Sequence, residues 1–484
     1  MGKKGFSEYK GMLLNVLFAI GSILYISLIF NRNVWVDEAF SANIIRSSFP
    51  KMWEATVKDT LPPFYNVFSW CLVRILGSST PVMKLSSVLP MIGLLFLART
   101  LVYKYFGFLS SFFSLLLFIS MPHFYYYGVE IRMYSFGMLS VTMAGLAAYS
   151  VITSGRKRDW LSFSLCTAFC GYVHHFALIS ASFLWLFLLL MYICCMAPLQ
   201  KKNQAHILLK LELKNWALGL MAFLLFYLPG LCLTAYQIKN ASSYFSMSPL
   251  SLKSFFSDLR FPFVTHITIL SLTLVLCFFA ILALAGFSFL KAPSCDRHIS
   301  IGLSFIFIYP CTLLFGYGVS LVIGRSLFTA RYLVPSLSIF WLGTAILMGS
   351  VDVPFLRRKW LVLICTLVTI LTGCFTYHSQ FIEEYDSGVE EMLRWFDSHL
   401  TENDAYLIYE DNHQIEICLS YYYPKLKRCS EKELAEVEGN IWYLEVDGYE
   451  KELEKLKNSG YNAEYIGERS FDRYSFRLYL LKKL

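Results

Sequence analysis

Hydrophobic residues in this chain run in long blocks rather than in alternation. Eleven stretches, near 12–30, 86–102, 107–121, 135–152, 159–173, 176–196, 215–235, 264–290, 299–323, 333–350 and 360–377, are almost free of charge. A helix needs roughly 20 apolar residues to cross a bilayer core, so these blocks predict about eleven transmembrane helices. A shorter apolar block, Phe64 to Gly77, is entered through Pro62-Pro63 and carries Arg74, which suits a juxtamembrane helix in the interface better than a span. Past residue 378 the pattern changes. Amphipathic helical stretches (389–399, 412–423, 449–459) alternate with strand-like ones (405–409, 440–445, 473–481), ending on Tyr474, Phe476, Leu478 and Leu480 at every second position. The predicted architecture is an all-α polytopic membrane domain, residues 1–377, followed by a small α/β domain, residues 378–484.

With 56% hydrophobic residues, 16% charged and a mean hydropathy of +0.52, lipid must be the main solvent of the chain. The formal net charge of +8 averages two opposite parts. The last 107 residues hold 23 acidic and 13 basic side chains, whereas the first 377 hold 11 and 29. The basic residues sit between apolar blocks: Lys104, then Arg156, Lys157 and Arg158, then Lys201 and Lys202, then Lys291 and Arg297, then Arg357, Arg358 and Lys359. A cytoplasmic N-terminus puts every one of these loops inside, as the positive-inside rule requires, and leaves the tail extracytoplasmic. Counting Phe64 to Gly77 as a span would invert the following loops. The basic charge thus answers to membrane lipids and topology and argues against nucleic acid. Lys3, Lys4 and Lys10 precede the first block without a small-x-small cleavage site, the pattern of an uncleaved signal anchor. Neither Cys166/Cys170 nor Cys194/Cys195 has zinc-ligand spacing with nearby histidines. Cys418 and Cys429 share the tail, where a disulfide is open to them on an oxidising side.

Acidic residues are scarce before the tail, so their positions are informative. Glu8, Asp159, Glu212, Asp296 and Asp352 fall in inner segments, while Asp37, Glu38, Glu54, Asp59, Glu130 and Asp258 fall on the outer side. Glu54 and Asp258 read as solvated surface carboxylates. Asp37 and Glu38 stand in the apolar run Trp35-Val36-Asp37-Glu38-Ala39-Phe40, where an ionised pair is costly without partners or a task. The outer span ends also carry Lys84, Arg132, Arg325 and Arg331, against the expected bias. Arginine forks suit phosphate, and a lipid phosphate arrives at this depth; headgroup snorkelling is the alternative for each cation taken singly. Arg325 and Arg331 bracket one short loop and are placed to converge. In Glu130-Ile131-Arg132-Met133-Tyr134, a helix would turn Glu130 and Arg132 apart, and an extended or kinked segment would let both point inward. The His174-His175 turn suits hydrogen bonding to a sugar or phosphate as well as it suits a metal.

In this order the motifs resemble those of the GT-C membrane glycosyltransferases, in the branch of protein O-mannosyltransferases, lipid A aminoarabinose transferases and their bacterial relatives. The resemblance rests on Asp37-Glu38, Asp59-x-x-Pro62-Pro63-Phe64-Tyr65, Gly77 with Lys84, Glu130-x-Arg132-Met133-Tyr134, His174-His175, and Arg331-Tyr332 with Pro335. It covers roughly residues 10 to 350. Relatives often carry a histidine before the two prolines, where this chain has Leu61.

The resemblance implies a cell (plasma) membrane protein in which a polyprenyl-phosphate-linked monosaccharide donates its sugar at the outer face, to an acceptor protein, lipid or cell-wall polymer. Asp37 is then the base, Glu38 or Asp59 orients the acceptor or a divalent cation, and Lys84, Arg132, Arg325 and Arg331 meet the phosphate. Tyr65, Glu130, Tyr134, His174, His175 and Tyr332 complete the expected substrate contacts. A transporter or flippase of an anionic or lipid-linked substrate is the rival reading. It expects an inverted repeat and charge at mid-membrane depth, neither of which the sequence displays. The Asn240-Ala241-Ser242 sequon decides nothing without a known host.

Overall fold

The computed structural model describes residues 3–196, 212–240, 250–265, 267–291, 297–324, 326, 328–351, 355–379, 381, 388–409, 413–446, 450–471 and 474–484. The helices are α1 Lys3–Ser27, α2 Val36–Arg46, α3 Phe49–Lys58, α4 Phe64–Leu76, α5 Thr80–Leu97, α6 Tyr103–Ser120, α7 Pro122–Val129, α8 Tyr134–Ser154, α9 Lys157–Val173 and α10 His175–Met196. They continue with α11 Leu213–Asn240, α12 Leu252–Arg260, α13 Thr268–Lys291, α14 Arg297–Ile323, α15 Val334–Ser350, α16 Phe355–His378, α17 Gly388–His399, α18 His413–Tyr422 and α19 Glu450–Asn458.

Nine segments among the described residues are long and apolar enough to cross a membrane. One of them, Thr80–Ser120, doubles back on itself. Ser111 Oγ lies 2.8 Å from the Ala98 carbonyl, a distance that thirteen residues of continuous helix, about 20 Å, could not give. The turn uses Gly107 at φ +84°, where a side chain would be strained. With α5 and α6 counted separately, and with the 17-residue α9, each of the eleven expected spans falls on a helix. The block expected to lie in the interface is α4, which stops at Gly77 with φ +93°. Its Ile75 and Leu76 remain exposed, as an interfacial helix requires.

At the centre stands α15, apolar all round and buried along its length against α6, α8 and α14. Close approach comes from small residues, as is usual where lipid removes the hydrophobic drive between helices. A Cβ on Gly343 would sit 2.5 Å from the Gly302 carbonyl, so α14 and α15 meet backbone to backbone there. Ser338 Oγ donates to the Met138 carbonyl at 2.8 Å, a polar tie to α8.

The tail folds as a five-stranded sheet, β1 Ala405–Leu407, β2 Lys427–Arg428, β3 Ile441–Glu445, β4 Tyr461–Phe471 and β5 Tyr474–Lys483, in the order β2-β1-β3-β5-β4. The pairs β1–β2 and β1–β3 are parallel, and β3–β5 and β4–β5 antiparallel. The three expected strands and three expected helices are all present, but β2 and β4 are additions. In β4 a register shift between Tyr465 and Gly467 breaks the alternation that would have announced it. Cys418 and Cys429 are both buried, and no disulfide joins them. This domain docks through α18 onto α2: Asn43 Nδ2 donates to the Ile417 carbonyl and Ser420 Oγ, and Arg46 Nη1 to the Tyr421 carbonyl.

Candidate functional site

Helix α2 begins where Trp35 adopts an extended backbone, ψ 171°, so Asp37 and Glu38 enter the first helical turn. Free N–H groups and the helix dipole favour carboxylates at that end. Adjacent helical positions splay about 100° apart, so the two acids face different surroundings.

Asp37 faces the arginines. Arg331 Nη1 donates to Asp37 Oδ2 at 2.7 Å, and Arg132 Nη2 stands 3.9 Å from the same oxygen. Arg132 is buried and is held by Ser41 Oγ at 2.9 Å and by the Asp37 carbonyl at 3.3 Å. Burial disfavours its charge, but Tyr134, Asp37 and Asp59 outweigh that and hold it cationic. Arg331 comes from a one-turn 3₁₀ segment before α15, with its guanidinium 5.3 Å above the Trp35 ring. Around the pair, Arg132 Nε, Arg331 Nε, Tyr134 Oη and His174 Nε2 are buried without a hydrogen-bond partner among the described residues. Unused donors gathered about two guanidinium groups form an anion site. Burial, then the charges of His175, Arg132 and Arg331, pull the His174 pKa down to about 3, so the imidazole is neutral here.

Glu38 faces a cleft. It is 4% exposed, and its oxygens accept from the backbone N–H of Ile131 at 2.7 Å and of Trp35 at 3.3 Å. Burial pushes its pKa up, with the Lys84 ammonium the main opposing influence. Lys84 is buried too and donates to the Asn33 carbonyl at 2.9 Å. Beside them a cleft open to solvent is lined by Asn33, Trp35, Glu38, Lys84, Tyr125 and Glu130 among others. Asn33 Oδ1, Trp35 Nε1, Tyr125 Oη and both carboxylate oxygens of Glu130 are buried there without partners among the described residues. Burial, and after it the charge of Glu38, hold Glu130 well above the usual carboxylate range. A cleft offering both unused donors and unused acceptors suits a polyhydroxylated ligand.

The 130–133 segment is non-helical, as the opposed spacing of Glu130 and Arg132 requires, and both side chains are buried toward the site. Asp59 caps α3 and accepts from its neighbour Thr60 N at 2.7 Å; burial raises its pKa against that bond. Its charge is felt by Arg132 and Asp37, at the edge of the cluster. Tyr332 packs on His174 with ring centroids 5.7 Å apart.

Two of the expected substrate contacts bond protein groups in this structure. The Tyr65 phenol is buried against Ser86 and Ser87, 3.0 Å from each, and Ser87 in turn holds the carbonyls of Glu130 and Arg132. His175 turns from His174 and places Nε2 3.0 Å from the Thr60 carbonyl, fixing the loop that carries Asp59. Arg325 lies outside the described residues, as does Ala241-Ser242 of the sequon. Arg331 converges with Arg132 from the other side of the chain. Sequence reasoning missed Ser41, Asn33 and Trp35. Only Trp35, an indole next to the acidic pair, carried a signal. No group of three or more metal-binding side chains exists among the described residues.

No family model and no curated protein sequence matches this chain. Among solved structures it is similar to apo ArnT from Cupriavidus metallidurans, with TM-score 0.63 and 10% sequence identity over 97% of each chain. It is similar also to ArnT of the same organism bound to undecaprenyl phosphate, with TM-score 0.61 and 10% identity over 96% of this chain and 97% of that one. Such identity speaks to architecture and not to chemistry. The chain is a polytopic helical membrane protein with the GT-C fold of ArnT.

Proposed function

We propose that this protein is a membrane glycosyltransferase that moves a monosaccharide from a polyprenyl-phosphate-linked donor to an acceptor hydroxyl at the outer face of the membrane. The carrying observation is the Asp37 carboxylate held between Arg331 and Arg132, next to a cleft of unsatisfied hydrogen-bonding groups. The likeness to an ArnT structure bound to undecaprenyl phosphate supports a lipid-phosphate donor.

The reading assigns the phosphate to Arg132 and Arg331, with Lys84 approaching from the far side of α2, and the sugar to the cleft beside Glu130. Phosphate competes with Asp37 for Arg331, so donor binding loosens the ion pair and leaves the carboxylate free to act as base. The acceptor O–H proton then passes to Asp37 while the acceptor oxygen bonds to the anomeric carbon. The carbon–oxygen bond to phosphate breaks with its electron pair on the phosphate, where the guanidinium groups meet the charge. A phosphate leaving group needs no second carboxylic acid. Glu38 holds the Ile131 and Trp35 amides and so orients the turns on either side of Asp37.

Purified protein is incubated with a radiolabelled polyprenyl-phosphate sugar and candidate acceptors, and in parallel reconstituted into proteoliposomes. Sugar release or transfer supports the reading; movement of intact donor across the bilayer without cleavage sinks it in favour of a flippase.

A further inference from the structure

We propose that Tyr422, in the C-terminal domain, is a positioning residue for the reaction: its hydroxyl sets the turn between α1 and α2 from which Lys84, Trp35 and Glu38 take their geometry. The inference rests on the glycosyl-transfer reading and gives the tail a task within it.

The irregular turn from Asn31 to Trp35 has few backbone partners of its own, so side chains fix its shape. Tyr422 Oη donates to the Arg32 carbonyl at 2.8 Å and accepts from the Val34 N–H at 2.8 Å. Those two bonds bracket Asn33, whose carbonyl receives Lys84 Nζ at 2.9 Å. One residue later, the Trp35 N–H donates to Glu38 Oε2 at 3.3 Å, and the Trp35 ring lies beneath the Arg331 guanidinium. Within four residues, one edge of the turn meets the tail and the other meets three charged groups of the site.

The hydroxyl is itself held in place. The Tyr422 ring lies parallel to Phe471 of β4, with an interplanar angle of 8° and centroids 5.8 Å apart, and against Tyr421 at 4.8 Å. Tyr421 is buried and bonds Thr80 at the start of α5 through its own hydroxyl at 2.7 Å. Val34 is 1% exposed, so its N–H has no recourse to solvent once Tyr422 Oη is gone. The lost anchor then releases the turn leading into Asp37.

Tyr422→Phe removes one oxygen and keeps the ring packing. The comparator is Asn43→Ala, which cuts two hydrogen bonds of the same α2–α18 seam without touching the turn. Turnover per folded molecule, donor KM, thermal midpoint and hydrogen exchange over residues 31–36 are measured on the full-length protein for wild type and both variants. For Tyr422→Phe the expected result is a kcat about tenfold lower, since small misplacements of catalytic groups cost roughly one to two decades, with donor KM changed less than about twofold. Exchange across the turn quickens. Asn43→Ala lowers the thermal midpoint and keeps wild-type kcat. A merely structural Tyr422 would move the midpoint and leave kcat alone, and that outcome overturns the proposal. So does an Asn43→Ala loss as large as that of Tyr422→Phe. A wild-type protein inactive toward lipid-phosphate sugars refutes the glycosyl-transfer reading instead; exchange still decides the clamp, which unchanged protection in Tyr422→Phe disproves.

Discussion

Replacing Asp37 with Asn should move donor affinity and turnover in opposite directions. The side chain keeps its size but loses the charge that occupies Arg331 at 2.7 Å and faces Arg132 at 3.9 Å. A hydrogen bond to a charged group contributes about 1.5–3 kcal/mol, and because both Asp37 and Arg331 are 29% exposed the lower part of that range, about 1.5–2 kcal/mol, applies. Arg331 gives up that much to grip phosphate in the wild type and nothing comparable in Asp37→Asn. Polyprenyl phosphate should therefore bind the variant about 10- to 30-fold more tightly. An amide cannot accept the acceptor proton, so kcat should fall by about 10²- to 10⁴-fold. The assay pairs titration of detergent-solubilised protein with undecaprenyl phosphate against single-turnover transfer from a radiolabelled donor. Weaker donor binding in Asp37→Asn would refute the competition between carboxylate and phosphate. Near-normal turnover would remove Asp37 as the base, and if Asp59→Asn lost turnover the role would pass to Asp59.

Arg132→Ala should weaken donor use by about 10- to 150-fold in kcat/KM, the equivalent of one charge-assisted contact to phosphate, and Arg331→Ala by less, because that residue exchanges its bond to Asp37 for the one to phosphate; unchanged donor affinity in both counts against the anion site. Glu130, raised by burial and then by the Glu38 charge, favours its proton in the folded state, so its contribution to stability is complete below the ordinary value of 4.5 and is lost as pH rises through its elevated one. Glu130→Gln should accordingly raise the thermal midpoint at pH 8 and narrow its difference from pH 5, and a lower midpoint at pH 8 would contradict that sign. A cysteine placed at exposed Asn458, in a background with Cys71 replaced by Ser, should react with a membrane-impermeant maleimide in intact cells; labelling only after permeabilisation would put the tail inside.

The spans were legible because a membrane helix is a local property: about 20 apolar residues declare it without reference to anything else. Asp37, Glu38, Glu130 and Arg132 were legible because charge is rare in such company. Their pairing was not. The bond from Arg331 to Asp37 joins positions 294 apart, and nothing in either motif says that the cation meant for phosphate is first engaged by the base. Tyr65 and His175 read as ligands because they sit inside motifs, yet the Tyr65 hydroxyl bonds the Ser86 and Ser87 hydroxyls and His175 bonds the Thr60 carbonyl, a distinction of direction that spacing does not encode. The strand β4 went unseen because Gly467 and the register shift next to it break the alternation on which strand reading depends. For α2 and α3 the reason is length, since 11 and 10 residues are too few for a secure period.

The docking of α18 against the turn before α2 also carries a temporal meaning. Synthesis reaches residues 32 and 34 well before Tyr422, so the ends of those hydrogen bonds are separated by 390 and 388 positions of synthesis. Helices α1 to α17 are made before the phenol that braces the turn exists. During that interval the turn before the acidic pair lacks its two bonds to Tyr422, and a chain that stops anywhere between residues 378 and 421 keeps every charged group of the membrane site while lacking that brace. On the glycosyl-transfer reading proposed above, α18 thus acts as a completion mark, and a chain that stops before Tyr422 is expected to turn over more slowly than one that carries it.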